Sequence, residues 1–279
     1  MHESKIDPGF KFVPSSWTER AMTPQQKYGF DLTGYMTVDD YFSAEDLDTL
    51  NAAWSGRMEN RDLRDISFGW GDPWTRLLNF EKVLSVLHTL LGRGFRVDHA
   101  FMINERFHGQ AGRLHHQSHM VDQGIIYHCQ KGRPFTTLLT ISIALEEVPA
   151  SGGGFCCVPG SHKANFDLPP EFFETLKHPH MVQLPQKKGS AILFSEALTH
   201  GTYPLGHESP RRSILIRLTP GGITYRQNPI ETDITYSPPT HGRRDADLKP
   251  MRRELLDELQ WKVAMRQPYF VDECGKARD

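Results

Sequence analysis

Three segments of the chain carry residue types that could do chemistry. The first is Arg113-Leu114-His115-His116-Gln117-Ser118-His119, with three histidines within five positions. Side chains alternate on an extended backbone, so His115, Gln117 and His119 would share one face and His116 the other. Imidazole ligates iron, zinc, copper and nickel alike, so histidine by itself does not select the metal. The same run also reads as a solvated, histidine-rich turn. The second segment is Ser151-Gly152-Gly153-Gly154-Phe155-Cys156-Cys157-Val158-Pro159-Gly160-Ser161-His162-Lys163. Its glycines permit backbone shapes that other residues resist, and its end turns sharply. It lacks the Gly-Lys-Ser/Thr ending of a phosphate-binding loop. In the third segment an apolar strand delivers Glu196 and His200 four residues apart, and Arg211 and Arg212 then open a second apolar strand. Alternation sends one of these arginines inward and one outward. An inward guanidinium is a bidentate carboxylate binder, and an outward one makes surface ion pairs.

The elements that must position these residues are short and mostly extended. Residues 1–33 hold Pro8, Pro14 and Pro24 with little periodicity and read as an arm on the domain. After a short strand from Gly34, Ser43 caps a helix, with Asp46 three residues on and Leu47, Leu50, Ala53 and Trp54 at helical spacing. A second helix is expected over residues 80–91, with Val83, Leu84, Leu87, Leu90 and Leu91 on its apolar face and Gly92 as its stop. The stretches 95–104, 135–145, 154–160, 180–185, 190–195 and 212–220 are β-branched runs bounded by Gly, Pro and polar turns. Such strands without regularly interposed helices mean a sandwich or barrel and exclude a doubly wound α/β fold. Residues 250–266 read as an amphipathic helix, with Pro250 in its first turn, that covers a sheet face. The plan is one mainly β domain with flanking helices: arm 1–33, helical part 34–94, β core 95–220, and C-terminal loop with covering helix 221–279.

Composition narrows the function. The 279 residues carry 32 basic and 34 acidic side chains, a formal net charge of −2, which excludes a nucleic-acid binder driven by counterion release. With 38% hydrophobic and 10% aromatic residues the chain is of the soluble globular type. No apolar run approaches the ~18 residues of a membrane span, and residues 1–10 have neither the basic start nor the apolar centre of a signal peptide. Cys129, Cys156, Cys157 and Cys274 form no Cys-x-x-Cys pair, so they read as reduced thiols of a cytoplasmic protein.

In order and spacing, the three segments resemble the phytanoyl-CoA dioxygenase family of non-haem iron, 2-oxoglutarate-dependent oxygenases. The resemblance is best over 95–220. It is carried by Gly152–Lys163, which looks like the family's Gly-Gly…Pro-Gly-Ser-His segment, and by Leu193–Pro204, which looks like the strand and loop bearing the distal metal histidine. It implies a double-stranded β-helix, or jelly roll. It implies Fe(II) held by His115, His200 and a third ligand, with open positions for 2-oxoglutarate and dioxygen. Arg211 falls where the family grips the C5 carboxylate of 2-oxoglutarate, and Ser213 is assigned to the same subsite. The implied reaction is oxidative decarboxylation of 2-oxoglutarate to succinate and CO2, coupled to hydroxylation of a small molecule.

The chain departs from the family at one point. The family's first ligand segment is His-x-Asp, and here His115-His116-Gln117 puts Gln117 in the acid's place. Gln117 through its amide oxygen, His116, His119, or a carboxylate from elsewhere (Glu196 or Asp122) could complete the site. A vacated position filled by halide, as in iron halogenases, is disfavoured by the bulk of glutamine. A jelly roll that has lost its metal and only binds ligand is the remaining alternative. Phe101, Met102, Tyr127, His128 and Phe135 are candidates for an aromatic substrate pocket, each also readable as plain core, and Lys131 and Arg133 form a basic turn.

Overall fold

A computed structural model describes residues 21–58, 63–92, 94–105, 112–115, 124–150, 153–166, 168–172, 176, 178–204, 211–223, 225, 270–271 and 277–278. Two antiparallel sheets face each other. From edge to edge the larger holds β1 (Tyr35–Val38), β10 (Ala191–Ser195), β7 (Leu139–Ala144), β12 (Arg211–Thr219), β3 (Arg96–Glu105) and β2 (Leu63–Asp65). The smaller holds β4 (Gly112–His115), β11 (His200–Tyr203), β8 (Gly154–Cys157) and β9 (Val182–Gln183). Strands consecutive in sequence, such as β7 and β8 or β10 and β11, lie in different sheets. This is the double-stranded β-helix, and the expected mainly β class with flanking helices is what the chain forms. A separate hairpin joins β5 (Tyr127–Gln130) to β6 (Arg133–Thr136).

The period of two in the large sheet assigns each residue to one of two interiors. Ile141 and Ile143 of β7, Ala191 and Leu193 of β10, and Ile214, Ile216 and Leu218 of β12 are buried in the main core with Val83, Leu87 and Leu90. Each such aliphatic side chain contributes about 1.5–3 kcal/mol of burial. The alternate residues turn to the smaller sheet, where Ile192 and Phe194 pack with Phe155, Cys157 and Leu198. The wall between the two interiors is therefore a strand set buried on both faces, as the unbroken burial of β7 and β10 records.

Helices α1 (Pro24–Thr33), α2 (Ala44–Met58) and α3 (Leu84–Leu91) flank the sheets. The first corrects the reading of 1–33 as an aperiodic arm, since its last ten residues are helical. Its nucleus is a capping box: the Gln26 amide donates to Thr23 Oγ1 at 3.2 Å, the Thr23 amide donates to Gln26 Oε1 at 2.9 Å, and Pro24 occupies the first turn. For α2 the expected cap forms, with the Asp46 amide donating to Ser43 Oγ at 3.1 Å. The helix expected over 80–91 is a 3₁₀ turn, Glu81–Val83, leading into α3, and it stops at Gly92 as anticipated. The helix expected over 250–266, like residues 1–20, lies outside the described residues. Among the described residues no helix is long and apolar enough to cross a membrane.

Gly34 locks α1 to the sheet. Its φ is +83°, its carbonyl accepts from the Ser195 amide at 3.1 Å, and a Cβ there would lie 2.5 Å from His162 Nδ1. Gly34→Ala is expected to lower stability by about 2–4 kcal/mol, combining left-handed strain with overlap in a packed site. A urea unfolding midpoint equal to that of the unsubstituted protein would contradict this packing.

Candidate active site

The site begins with one register pair. On the small sheet His200, the first residue of β11, lies opposite His115, the last of β4. The two imidazoles meet with ring centroids 4.0 Å apart at 60°. The turn that links β10 to β11 brings Glu196 back against them, so that the His200 Nε2 to Glu196 Oε2 distance is 3.7 Å. Donor atoms of His115, Glu196 and His200 all lie within 4.8 Å of one another. Among the described residues this is the group of histidine, cysteine and acidic side chains arranged for a metal ion.

The surroundings set the protonation states a metal needs. The Nδ1–H of His200 is aimed at the Leu198 carbonyl at 2.6 Å, which leaves the Nε2 lone pair facing Glu196 and the cavity. Phe194 and Phe155 pack on the His200 ring with centroids 4.7 and 5.9 Å away. This burial, with His115 adding to it, depresses the His200 pKa to about 3, so the ring is a neutral donor at neutral pH. Glu196 is wholly buried. Burial alone would raise its pKa, but Arg217, His200 and the Thr140 hydroxyl hold it down at about 2. Arg217 grips both carboxylate oxygens, Nε to Oε1 at 3.1 Å and Nη2 to Oε2 at 3.3 Å, while Thr140 Oγ1 donates to Oε1. The neutral His200 imidazole, the His115 imidazole beside it and one ionised carboxylate match the donor set of a non-haem Fe(II) centre.

The three groups open onto a cavity of about 330 Å³ between the two sheets. Phe101, Ser142, Thr202 and Leu215 line its walls, and Arg211 and Arg217, six residues apart on β12, both reach it. Arg211 is 4% exposed. Beside it Gly154, at φ +85°, places a bare α-carbon where a Cβ would lie 2.8 Å from Val148 and touch the Arg211 side chain. Arg212 faces the other way, toward Asn51 Oδ1 at 3.4 Å and Glu146 Oε1 at 4.0 Å. Alternation on β12 thus places Arg211 inward and Arg212 outward. Ser213 is fully buried on the Arg211 face, beside the cavity but not among the residues that line it.

Of the residues singled out in the sequence, His115, Glu196, His200 and Arg211 come together. Gln117, His116, His119 and Asp122 lie outside the described residues. Of the five aromatic-pocket candidates, Phe101 lines the cavity and the others do not. Met102 points into the main core because it has the opposite parity on β3. Tyr127 is buried against His162, with its hydroxyl donating to Asp31 at 2.7 Å. His128 and Phe135 pack on each other across the β5–β6 hairpin, and Lys131 and Arg133 are exposed on its turn. The sequence reading missed Arg217 and its register partner His99. The available signal was a charged residue at even spacing from Arg211 within an otherwise apolar strand, and an Asp98-His99 pair in a second one.

The profile of the phytanoyl-CoA dioxygenase (PhyH) family matches residues 39–213. An ectoine dioxygenase from Sphingopyxis alaskensis is 24% identical over 238 residues, covering 71% of this chain and 75% of its own. Among solved structures, HygX from Streptomyces hygroscopicus with nickel and 2-oxoglutarate bound superposes with a TM-score of 0.65 at 21% identity, over 74% of this chain and 90% of its own. EctD from S. alaskensis with 2-oxoglutarate and 5-hydroxyectoine gives 0.60 at 23% identity, over 75% and 80%.

The buried groups set a pH dependence for the metal-free protein. Histidine in the unfolded chain takes a proton near pH 6.5, whereas folded His200 resists to about 3 and His162, buried against Tyr127, to about 4. Below about pH 6.5 the unfolded state therefore binds more protons and stability falls. Glu196, with its pKa depressed from 4.5 to about 2, adds loss of the same sign at lower pH. The urea midpoint is expected to be lower at about pH 5 than at about pH 7.5. A midpoint that holds or rises on acidification would contradict neutral, buried histidines.

Proposed function

The chain belongs to the phytanoyl-CoA dioxygenase family, and from that premise we propose that it is an Fe(II)- and 2-oxoglutarate-dependent oxygenase that hydroxylates a small molecule. The observation that carries the proposal is the convergence of His115, Glu196 and His200 on a cavity that Arg211 also lines. In this reading Glu196 supplies the carboxylate that the family's His-x-Asp pattern lacks at Gln117. A carboxylate among the metal donors speaks for hydroxylation rather than for a position vacated to halide, and it speaks against a jelly roll that has lost its metal.

The balance of the reaction is one C–H bond, one dioxygen and one 2-oxoglutarate consumed, and one C–OH group, one succinate and one CO2 formed. Bound to the triad, Fe(II) would supply the redox chemistry. The remaining work falls to the chain's own residues. His115 and His200 would offer imidazole nitrogens, and Glu196 would offset part of the metal charge. Arg211 would pair its fork with the C5 carboxylate of 2-oxoglutarate, anchoring it with the keto acid end toward the histidines. Thr202, on the cavity wall two residues after His200, offers a hydroxyl to the same co-substrate, and Ser213 backs Arg211. Phe155 and Phe194 exclude water from the His200 side, which strengthens each charged contact. EctD is solved with 5-hydroxyectoine bound and HygX also with hygromycin B, both small molecules. They support the same class of substrate here.

Succinate formed from 2-oxoglutarate with Fe(II) and dioxygen, in the absence of organic substrate and with ascorbate as the two-electron reductant that takes the second oxygen atom to water, tests the assignment. His200→Ala is expected to abolish it. Arg211→Ala is expected to raise the KM for 2-oxoglutarate by about 10–100-fold, the equivalent of one charge-assisted pair, and Arg212→Ala to leave it within about twofold. Undiminished turnover in folded His200→Ala protein would overturn the proposal. Equal effects at the two arginines would overturn the role of Arg211.

A further inference from the structure

Glu196 lies in the turn between β10 and β11, not on a strand, so the backbone alone does not fix where its carboxylate points. Three neighbouring strands do that from outside. In register across the large sheet, Arg217 of β12 lies opposite Thr140 of β7 on one side and His99 of β3 on the other. Thr140 and Arg217 hold both carboxylate oxygens of Glu196. Arg217 is itself set in place, with its guanidinium carbon 5.4 Å from the Phe101 ring centre and Nη1 3.5 Å from His99 Nε2. His99 stacks on Phe101 with centroids 5.8 Å apart, and its Nδ1 meets Asp98 Oδ2 at 2.6 Å. The second oxygen of Asp98 accepts from the Tyr225 amide at 3.0 Å. A row of side chains thus runs from Asp98 through His99 and Arg217 to the metal-facing carboxylate.

We propose that Arg217 is the positioning residue of the metal centre: its two-nitrogen grip, set by His99 and Phe101, turns Glu196 so that Oε2 faces the histidine nitrogens. This rests on the reading of Glu196 as the third ligand. The grip does more than neutralise a buried charge. A single cation near the carboxylate would neutralise it in many orientations, whereas a planar fork bonded to both oxygens permits one. The side chain of Arg217 is 25% exposed at the cavity, so it is not a plug for the core. Partners behind a metal ligand typically govern affinity by about 10–100-fold.

The test is titration of metal-free, full-length protein with Co(II) under anaerobic conditions, reading affinity and the visible d–d bands that report coordination geometry. The variants are Glu196→Gln, Arg217→Gln and Arg217→Lys, each checked for folding by circular dichroism. Glu196→Gln is expected to weaken Co(II) binding and change its spectrum. Arg217→Gln and Arg217→Lys are each expected to weaken binding about 10–100-fold with altered bands. The lysine variant keeps the charge but loses the fork, and it carries the test if the glutamine variant does not fold. Wild-type affinity and bands in a folded Arg217 variant, with Glu196→Gln impaired, would overturn the positioning role and leave the ligand reading intact. Wild-type binding in Glu196→Gln would overturn the ligand reading and the positioning role with it.

Discussion

A carboxylate removed wholly from water persists as an anion only where fixed partners replace its hydration. The Glu196–Arg217 pair meets that condition, and the proposed metal site depends on it. An unpaired carboxylate at this depth would cost several kcal/mol or take up a proton, and as a neutral acid it would be a poor metal donor. Arg217 and Thr140 keep it ionised and oriented. The neutral state of His200 has the complementary origin: an apolar collar of Phe155 and Phe194, with one ring nitrogen committed to a backbone carbonyl. The contrast between an ionised acid and a neutral base a few ångströms apart is built from burial and partner choice.

Strand β12 shows how the fold produces that contrast. One face carries Ile214, Ile216 and Leu218 into the main core. The other presents Arg211, Leu215 and Arg217 to the cavity. Apolar burial on the first face anchors the strand rigidly enough for the second to carry two guanidinium groups. In the proposed function they have different tasks, Arg211 toward the C5 carboxylate of 2-oxoglutarate and Arg217 toward the metal's own ligand. The opposing small sheet contributes the histidine pair through a single register contact, and the turn after β10 brings Glu196 to it.

Much of this was legible in the sequence. The β core was visible because period-two runs and Gly/Pro punctuation are local signals. The same parity sent one of Arg211 and Arg212 inward and the other outward, and the structure puts Arg211 inward. The family resemblance paired His115 with His200, which the structure brings together, and Glu196 stood beside Asp122 as a candidate carboxylate because its four-residue spacing from His200 crosses a turn. Distance in the chain hid the rest. That Arg217, His99 and Thr140 form a row is a matter of strand register between segments far apart in sequence. Helix α1 was missed for a different reason. Its capping box, Thr23-Pro24-Gln25-Gln26, is local, but the helix behind it has a weak apolar face, with Phe30 as its buried residue. Of the pocket candidates Phe101 lines the cavity, whereas Met102 failed on parity, since one residue on a strand is the difference between core and cavity, and Tyr127, His128 and Phe135 lie on a separate hairpin.

In the proposed function Glu196, rather than Gln117, completes the metal site. Anaerobic addition of Fe(II) and then 2-oxoglutarate to the metal-free protein tests it most directly. A visible charge-transfer band requires 2-oxoglutarate chelated to iron through its C1 carboxylate and ketone. The account predicts a band that saturates at one equivalent in the unsubstituted protein and in Gln117→Ala, and its loss in folded Glu196→Gln. A band that survives in Glu196→Gln and disappears in Gln117→Ala would contradict it.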